Sequence, residues 1–473
     1  MASDWPKISD IASGVQAGKF TAREMVEKSL AAVMEANDFD SLISVFRDEA
    51  LQRADQIDAS IKNGAKVGRL AGVPFIAKDN FLVAAGKTTA ASNILKPFEA
   101  PYQATAINKL EAEGAICVGK ANLDAFAHGS STENSDFFTT KNPHDKSRVP
   151  GGSSGGSAAA VVLGIAPFAL GSDTGGSIRQ PASLSGCVGY KPTYGLVSRS
   201  GVVAMASSTD VIGVLANNVD DTALVMNVMA GRDPLDSTTI EKPASNLADG
   251  KLDLKGKKIG IIKEYFFEGL EDGVKKQIEA AIEKLKAAGA EISEVSLPSI
   301  PLALAVYYII CPAEVSSNLA RYDGQRYGHF AAEAKDLEES YTLAREQGFG
   351  TEAKRRIMIG AYVLSSGYYD AYYKKAQTVR TKLINEMTKA FKSYDFLVGP
   401  VSPTVAFKIG EKTGDPLQRY LADIMTVAFN ITGNPAISVP AGEVDGLPVG
   451  LQLIADRKAD AELLAAAKGF EEL

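Results

Sequence analysis

Short, wholly apolar runs alternate with segments of helical period along this chain, and that alternation restricts the fold more than any other feature. Gly72-Val73-Pro74-Phe75-Ile76-Ala77-Lys78 reads as a buried strand that delivers a lysine at its end. A strand apolar on both sides needs cover on both faces of its sheet. Residues 104–113 read as a helix and Ile116-Cys117-Val118 as the next strand. Upstream, Thr21-x-x-Glu24 is a capping box opening a helix through Met25, Val26, Ser29, Leu30 and Val33, and Leu51, Ala54 and Ile57 mark a second. Downstream, 258–262 reads as a strand, and Val274, Ile278, Ile282 and Leu285 mark a helix closed by Gly289. Further strands follow at 292–297, at Phe396-Leu397-Val398 and in the apolar segment 435–440, with a long helix over 372–392. The pattern predicts α/β architecture with a largely covered sheet, in one or two units. Between 151 and 189 the composition shifts to Gly, Ser and Ala, which predicts that loops dominate there.

Composition narrows the function classes. With 473 residues, 45% hydrophobic and 23% charged, the chain has ample apolar material for a large core. A net charge of -7 argues against a surface that grips nucleic acid nonspecifically. Cys117, Cys187 and Cys311 form no C-x-x-C pair, so they are expected to be buried free thiols. The opening Met1-Ala2-Ser3-Asp4-Trp5-Pro6-Lys7 lacks the basic and apolar regions of a signal peptide. The apolar stretch 158–170 is broken by Gly164 and Pro167 and is too short to span a bilayer. A cytoplasmic protein with no membrane partner is expected.

Two glycine-flanked serine clusters carry the candidate chemistry: Gly151-Gly152-Ser153-Ser154-Gly155-Gly156-Ser157 and Gly171-Ser172-Asp173-Thr174-Gly175-Gly176-Ser177-Ile178-Arg179. Gly/Ser stretches commonly serve as linkers or phosphate cradles. These lie between apolar segments, and neither ends in the Gly-Lys-Ser/Thr of a P-loop. A serine attacking a carbonyl needs a base and donors for the oxyanion, and backbone N–H groups of Thr174, Gly175, Gly176 and Ser177 could supply the donors. Histidine is scarce, at His128, His144 and His329. A lysine whose pKa is lowered by burial can serve as base, and Lys78 ends an apolar strand; taken alone it reads rather as a surface lysine at a strand end. Gly151-x-Ser153-x-Gly155 also satisfies the nucleophile-elbow pattern, but no strand precedes it and only His329 follows at a useful distance, so a coincidental match is expected.

Together with Lys78, the two serine clusters resemble the amidase signature family, and the separations from Lys78 to Ser153 and from Ser153 to Ser177 match the family's register. The resemblance implies a single domain over 1–473 with a mixed central sheet covered by helices on both faces. It implies Ser177 as nucleophile, Ser153 as a relay serine held by a cis peptide, Lys78 as base, and an oxyanion hole from the backbone of Thr174 to Ser177. Within the family, Ser131-Thr132-Glu133-Asn134-Ser135, Ser316-Ser317-Asn318-Leu319-Ala320-Arg321-Tyr322-Asp323-Gly324, Lys354-Arg355-Arg356-Ile357-Met358 and Leu364-Ser365-Ser366-Gly367-Tyr368-Tyr369-Asp370-Ala371-Tyr372-Tyr373 are similar to the glutaminase subunits of the bacterial Glu-tRNA(Gln) amidotransferases. That likeness implies glutamine as substrate, held by Gly129, Tyr307, Arg356 and Asp423. It implies B and C subunits as partners, tRNA met through the complex, ATP and Mg in the partner subunit, and no metal in this chain.

Arg suits a bidentate clamp on an α-carboxylate, and Asp suits an α-ammonium. On its residues alone, Arg356 could be one more exposed charge in a basic run. The tyrosines at 368–373 could be helix core or a partner face. Departures from the family occur at Ala125 and His128, where glutamate and methionine are usual, and at Val211 and Val214, where glutamine and proline are common. Competing readings are a free-standing amidase for small amides, which has no use for two opposite charges, and an inactive scaffold, against which all three filled catalytic positions weigh.

Overall fold

The computed structural model describes residues 5–84, 86–243, 246–248 and 250–473. Met1 to Asp4 of the opening segment, and Ala244, Ser245 and Asp249 in the polar connection after Arg232, lie outside the described residues. Eleven strands form one sheet: β1 (Leu42–Val45), β2 (Pro74–Lys78), β3 (Ile116–Ala121), β4 (Phe168–Asp173), β5 (Val188–Lys191), β6 (Val211–Ala216), β7 (Lys258–Ile262), β8 (Glu291–Val295), β9 (Phe396–Pro400), β10 (Ala436–Val444) and β11 (Leu447–Ile454). Their order is β1-β3-β2-β4-β6-β5-β10-β11-β9-β7-β8. The sheet is mixed: β2 runs parallel to β3 and β4, and β7 to β8 and β9, whereas β4–β6, β5–β6 and β10–β11 are antiparallel. Every residue of β2 through β6, and of β9 and β11, is buried, while the edge strands β1 and β8 are partly exposed. Helices thus cover both faces of the sheet centre, as the unbroken apolar runs require.

The capping box at Thr21 forms: Thr21 accepts from Glu24 N and Glu24 returns a bond to Thr21 N, opening the helix Ala22–Glu35. The segment 151–189, predicted to be mostly loop, is instead largely regular. It holds the helix Gly155–Val162, β4, the helix Arg179–Ser185 and β5. Small residues act there as close-packing surface. A Cβ on Gly156 would lie 2.5 Å from the carbonyl oxygens of Asn122 and Ser41, so only glycine lets this helix sit against the sheet. The predicted long helix over 372–392 starts later, at Lys375–Ala390, after a π-turn at Asp370–Lys374. Tyr368, Tyr369 and Tyr372 are exposed, and Tyr368 and Tyr372 pack on each other and on Tyr362, so they are not core. All three cysteines are free and buried. The segment Ile300–Arg321, and not 158–170, is the one described stretch with the length and apolarity to cross a membrane; half of it is buried in the protein interior.

Candidate active site

Three parallel strands end together at one edge of the sheet, and their continuations build the site. β2 ends on Lys78, β3 leads into 122–129, and β4 ends on Asp173 and leads into Thr174 to Ser177. The carboxyl ends of parallel strands are where open α/β sheets place their ligands. Lys78 is wholly buried, and its ammonium nitrogen lies 2.7 Å from Ser153 Oγ, 2.9 Å from Ser154 Oγ and 3.0 Å from Ser172 Oγ. Burial lowers its pKa to about 7, against the opposing pull of Asp124, Asp173 and Asp210. The Gly152–Ser153 peptide is cis, as the family likeness implied. The Ser154 N–H donates to the Ser177 carbonyl at 3.1 Å and joins the two serine segments. No direct hydrogen bond links the Ser153 and Ser177 hydroxyls among the described residues; such contacts in unliganded enzymes often tighten only with substrate. Residues 141–150, just before Gly151, form no strand, and the His329 ring pairs with Gln347, so the nucleophile-elbow reading fails.

The loop from Thr174 to Ser177 is pinned from beneath by a buried network that the sequence did not reveal. Asp173 accepts from the N–H groups of Gly176 (2.8 Å) and Ile178 (3.2 Å) and from Arg179 Nε and Nη2, both at 3.0 Å. Arg179, also wholly buried, is closed by Asn430 Oδ1 and Gln452 Oε1, each at 2.7 Å. Burial pushes the Asp173 carboxyl up, but the Arg179 charge and these hydrogen bonds overcome it and hold the carboxyl well below the usual range. One expectation meets a competing bond here: the Gly176 N–H, expected among the donors for an oxyanion with those of Thr174, Gly175 and Ser177, donates to Asp173 instead. Gly176 has φ +138, and a Cβ there would meet Thr426 Oγ1 at 2.2 Å; a Cβ on Gly175 would meet the Tyr307 ring at 2.7 Å. The loop is therefore clamped between Thr426 and Tyr307. Arg179→Ala leaves Asp173 buried and unpaired, and a loss of about 3–5 kcal/mol of stability is expected. The midpoint of denaturant unfolding checks it; a shift near zero would mean that the pair does not hold the loop.

Asp124 organises the loop after β3. Its carboxylate accepts from Thr132 N (2.9 Å) and Asn134 N (3.0 Å), and a Cβ on either Gly129 or Gly152 would collide with it at 2.3 Å. Ala125 is buried beside it. Val211 and Val214 pair with Asp173 and Leu170 across β4–β6, so those departures concern sheet packing.

Tyr307 and Tyr308 lie on the helix Ala303–Asn318, and Arg356 on the helix Thr351–Leu364. The two helices touch closely, because a Cβ on Gly360 would overlap the Pro312 carbonyl oxygen at 1.9 Å. Arg356 is 3% exposed, unlike its neighbours Lys354 and Arg355, which excludes the exposed-charge reading. Its Nε donates to Glu352 at 2.9 Å, and the guanidinium lies 5.4 Å from the centre of the Tyr308 ring. The Tyr308 hydroxyl donates to Asp423 at 2.8 Å, and its ring stacks on Tyr420, whose hydroxyl donates to Glu352 at 3.1 Å. Arg356 and Asp423 are not paired with each other; each is held by other groups. Burial raises the Asp423 pKa to about 7. Glu352, Tyr308 and Tyr420 gave no sequence signal, because each matters only through the tertiary placement of a charge. A separate cavity of about 210 Å³ opens beside Ser172, Thr174 and Asp210, and none of Tyr307, Arg356 and Asp423 lines it.

The amidase family model matches residues 24–464, nearly the whole chain. The chain belongs to the amidase family. Among its amidase relatives is the A subunit of the glutamyl-tRNA(Gln) amidotransferase of Thermoanaerobacter pseudethanolicus, 55% identical over 457 residues, which span 96% of this chain and 93% of the relative. The crystal structure of the corresponding A subunit of glutamyl-tRNA(Gln) amidotransferase from Thermotoga maritima is similar with a TM-score of 0.78 and 41% identity, covering 95% of this chain and 91% of that one. A bacterial aryl acylamidase of the amidase signature enzymes matches with a TM-score of 0.87 at 25% identity, over 99% of this chain and 96% of that one. The amidase fold expected from the serine clusters is thus the fold observed.

Proposed function

We propose that this chain is the glutamine-hydrolysing subunit of a glutamyl-tRNA(Gln) amidotransferase, supplying ammonia to partner subunits that amidate Glu-tRNA(Gln). One observation carries the substrate: two opposite charges, Arg356 and Asp423, are buried near Tyr307, whose ring covers the nucleophile loop at Gly175. Free glutamine presents an α-carboxylate and an α-ammonium to match them, whereas a hydrophobic amide would make use of neither. Relatives that are A subunits by name, at 55% and 52% identity over nearly the whole chain, agree with this reading. Residues 1–473 act as a single catalytic domain, since one sheet collects strands from both halves of the chain.

Neutral Lys78 accepts the Ser153 proton while the Ser153 hydroxyl accepts that of Ser177. Ser177 Oγ then attacks the side-chain amide carbon of glutamine, and the N–H groups of Gly175 and Ser177, with that of Thr174, face the developing oxyanion. The relay returns a proton to the leaving nitrogen, ammonia departs, and water resolves the glutamyl ester to glutamate. The partners are B and C subunits, with tRNA met through the complex. ATP and Mg act in the partner subunit, and the complex works in the cytoplasm. Ammonia release from glutamine, measured with and without the copurifying partner subunits, tests the reading; a complex inert toward glutamine but active on small amides would favour a free-standing amidase.

Arg356→Ala leaves the substrate carboxylate desolvated and without its counter-charge, a loss typically of about 2–5 kcal/mol. The kcat/KM for glutamine is therefore expected to fall by roughly one and a half to three and a half decades. Turnover of an uncharged amide should be nearly unchanged. Equal losses on both substrates would make Arg356 a structural residue instead.

A further inference from the structure

His128 takes no part in the mechanism above, yet its side chain is fully buried and neither ring nitrogen has a hydrogen-bond partner among the described residues. Buried polar side chains nearly always find partners, and a neutral imidazole carries one donor and one acceptor to satisfy. The ring is held in place by its backbone: His128 N donates to the Ala125 carbonyl at 3.0 Å, and Asn134 Nδ2 donates to the His128 carbonyl at 2.8 Å. Asn134 is in turn fixed through its N–H on Asp124. Phe126 and Ala127, just before it, both have φ in the left-handed region, at 55° and 64°. Side-chain-bearing residues seldom adopt that conformation without a demand from their surroundings.

Burial and the nearby positive charge of Arg356 push the His128 pKa well below 6.5, so the imidazole stays neutral at physiological pH. Arg356 commits Nε to Glu352 and turns Nη1 toward Cys311 Sγ at 3.8 Å, which leaves Nη2 for substrate. A group that satisfies both a guanidinium and a neutral imidazole N–H is an anionic acceptor. We infer that His128 is a specificity-determining residue of this site, its ring N–H donating to the substrate α-carboxylate beside Arg356. The inference rests on the glutamine reading above and adds a second donor to the carboxylate end. In the family, methionine is usual here and has no N–H to give.

The test uses the purified complex with His128→Leu, which fills the space without leaving a polar group orphaned. A hydrogen bond to a charged group corresponds to a rise of about 10- to 100-fold in KM for glutamine. The kcat should stay within about twofold, because the interaction is made equally in ground and transition states. Turnover of butyramide should not change, and His128→Gln should recover part of the lost affinity. An unchanged KM for glutamine in His128→Leu overturns the inference. Should the leucine variant fail to fold, ring-nitrogen NMR of the Ser177→Ala complex, with ¹⁵N-histidine confined to this chain, decides instead. The chain has 3 histidines, and unhydrolysed glutamine must shift one ring signal away from its free position; three unmoved signals overturn the inference. A wild-type complex that releases no ammonia from glutamine refutes the glutaminase reading itself, a result distinct from either of these.

Discussion

Ser177→Ala is expected to reduce glutamine-dependent ammonia release by at least about 10⁴-fold, the scale seen when the nucleophile of a serine hydrolase is removed. No other hydroxyl can replace it. Ser153, Ser154 and Ser172 all surround the Lys78 nitrogen, and the Thr174 hydroxyl on the Ser177 loop is committed to Asp210 at 2.7 Å, so the proposed mechanism leaves the attack to Ser177. Glutamine binding should survive the substitution, because Tyr307, Arg356 and Asp423 are untouched. The measurement is single-turnover ammonia release beside a binding isotherm. Residual turnover within about a hundredfold of wild type would place the nucleophile elsewhere.

Lys78→Ala should cost a comparable factor, since relay groups that act as a unit are strongly non-additive. The double variant Lys78→Ala/Ser177→Ala should be no slower than either single variant; a much slower double variant would contradict the relay. The same lysine sets a pH dependence. Its pKa is lowered to about 7 by burial, and only the neutral amine can accept a proton. Below that value activity on any amide should therefore fall about tenfold per pH unit. Asp423, raised to about 7 by burial, must be ionised to meet an α-ammonium, and it too loses its productive form as pH falls. The acid limb of kcat/KM should accordingly be steeper for glutamine than for an uncharged amide, which feels Lys78 alone. Identical limbs for both substrates would remove Asp423 from substrate binding.

Much of the fold was legible because its strands announce themselves. Pro74 to Lys78 is buried at every residue, as its unbroken apolar run required, and the Thr21 capping box forms with both of its bonds. The Gly/Ser/Ala stretch misled, because residues that favour turns in water also allow tight helix packing when Asn122 and Ser41 press against Gly156. Lys78, Ser153 and Ser177 could be named because a specific motif fixes their register. Asp173 and Arg179 lay inside that motif without revealing a role, since their partners Asn430 and Gln452 come from about 250 residues away or more. His128 was visible only as a departure, and the role proposed for it depends on the charge of Arg356, which sequence distance hides.

Rapid acid quench of the complex during glutamine turnover, followed by mass mapping of this chain, tests the Ser177 assignment most directly. The expected result is a glutamyl group, glutamine less ammonia, esterified on Ser177 in the wild-type protein and absent from Ser177→Ala. A glutamyl adduct on any other residue, or ammonia release with no adduct at any quench time, would contradict it.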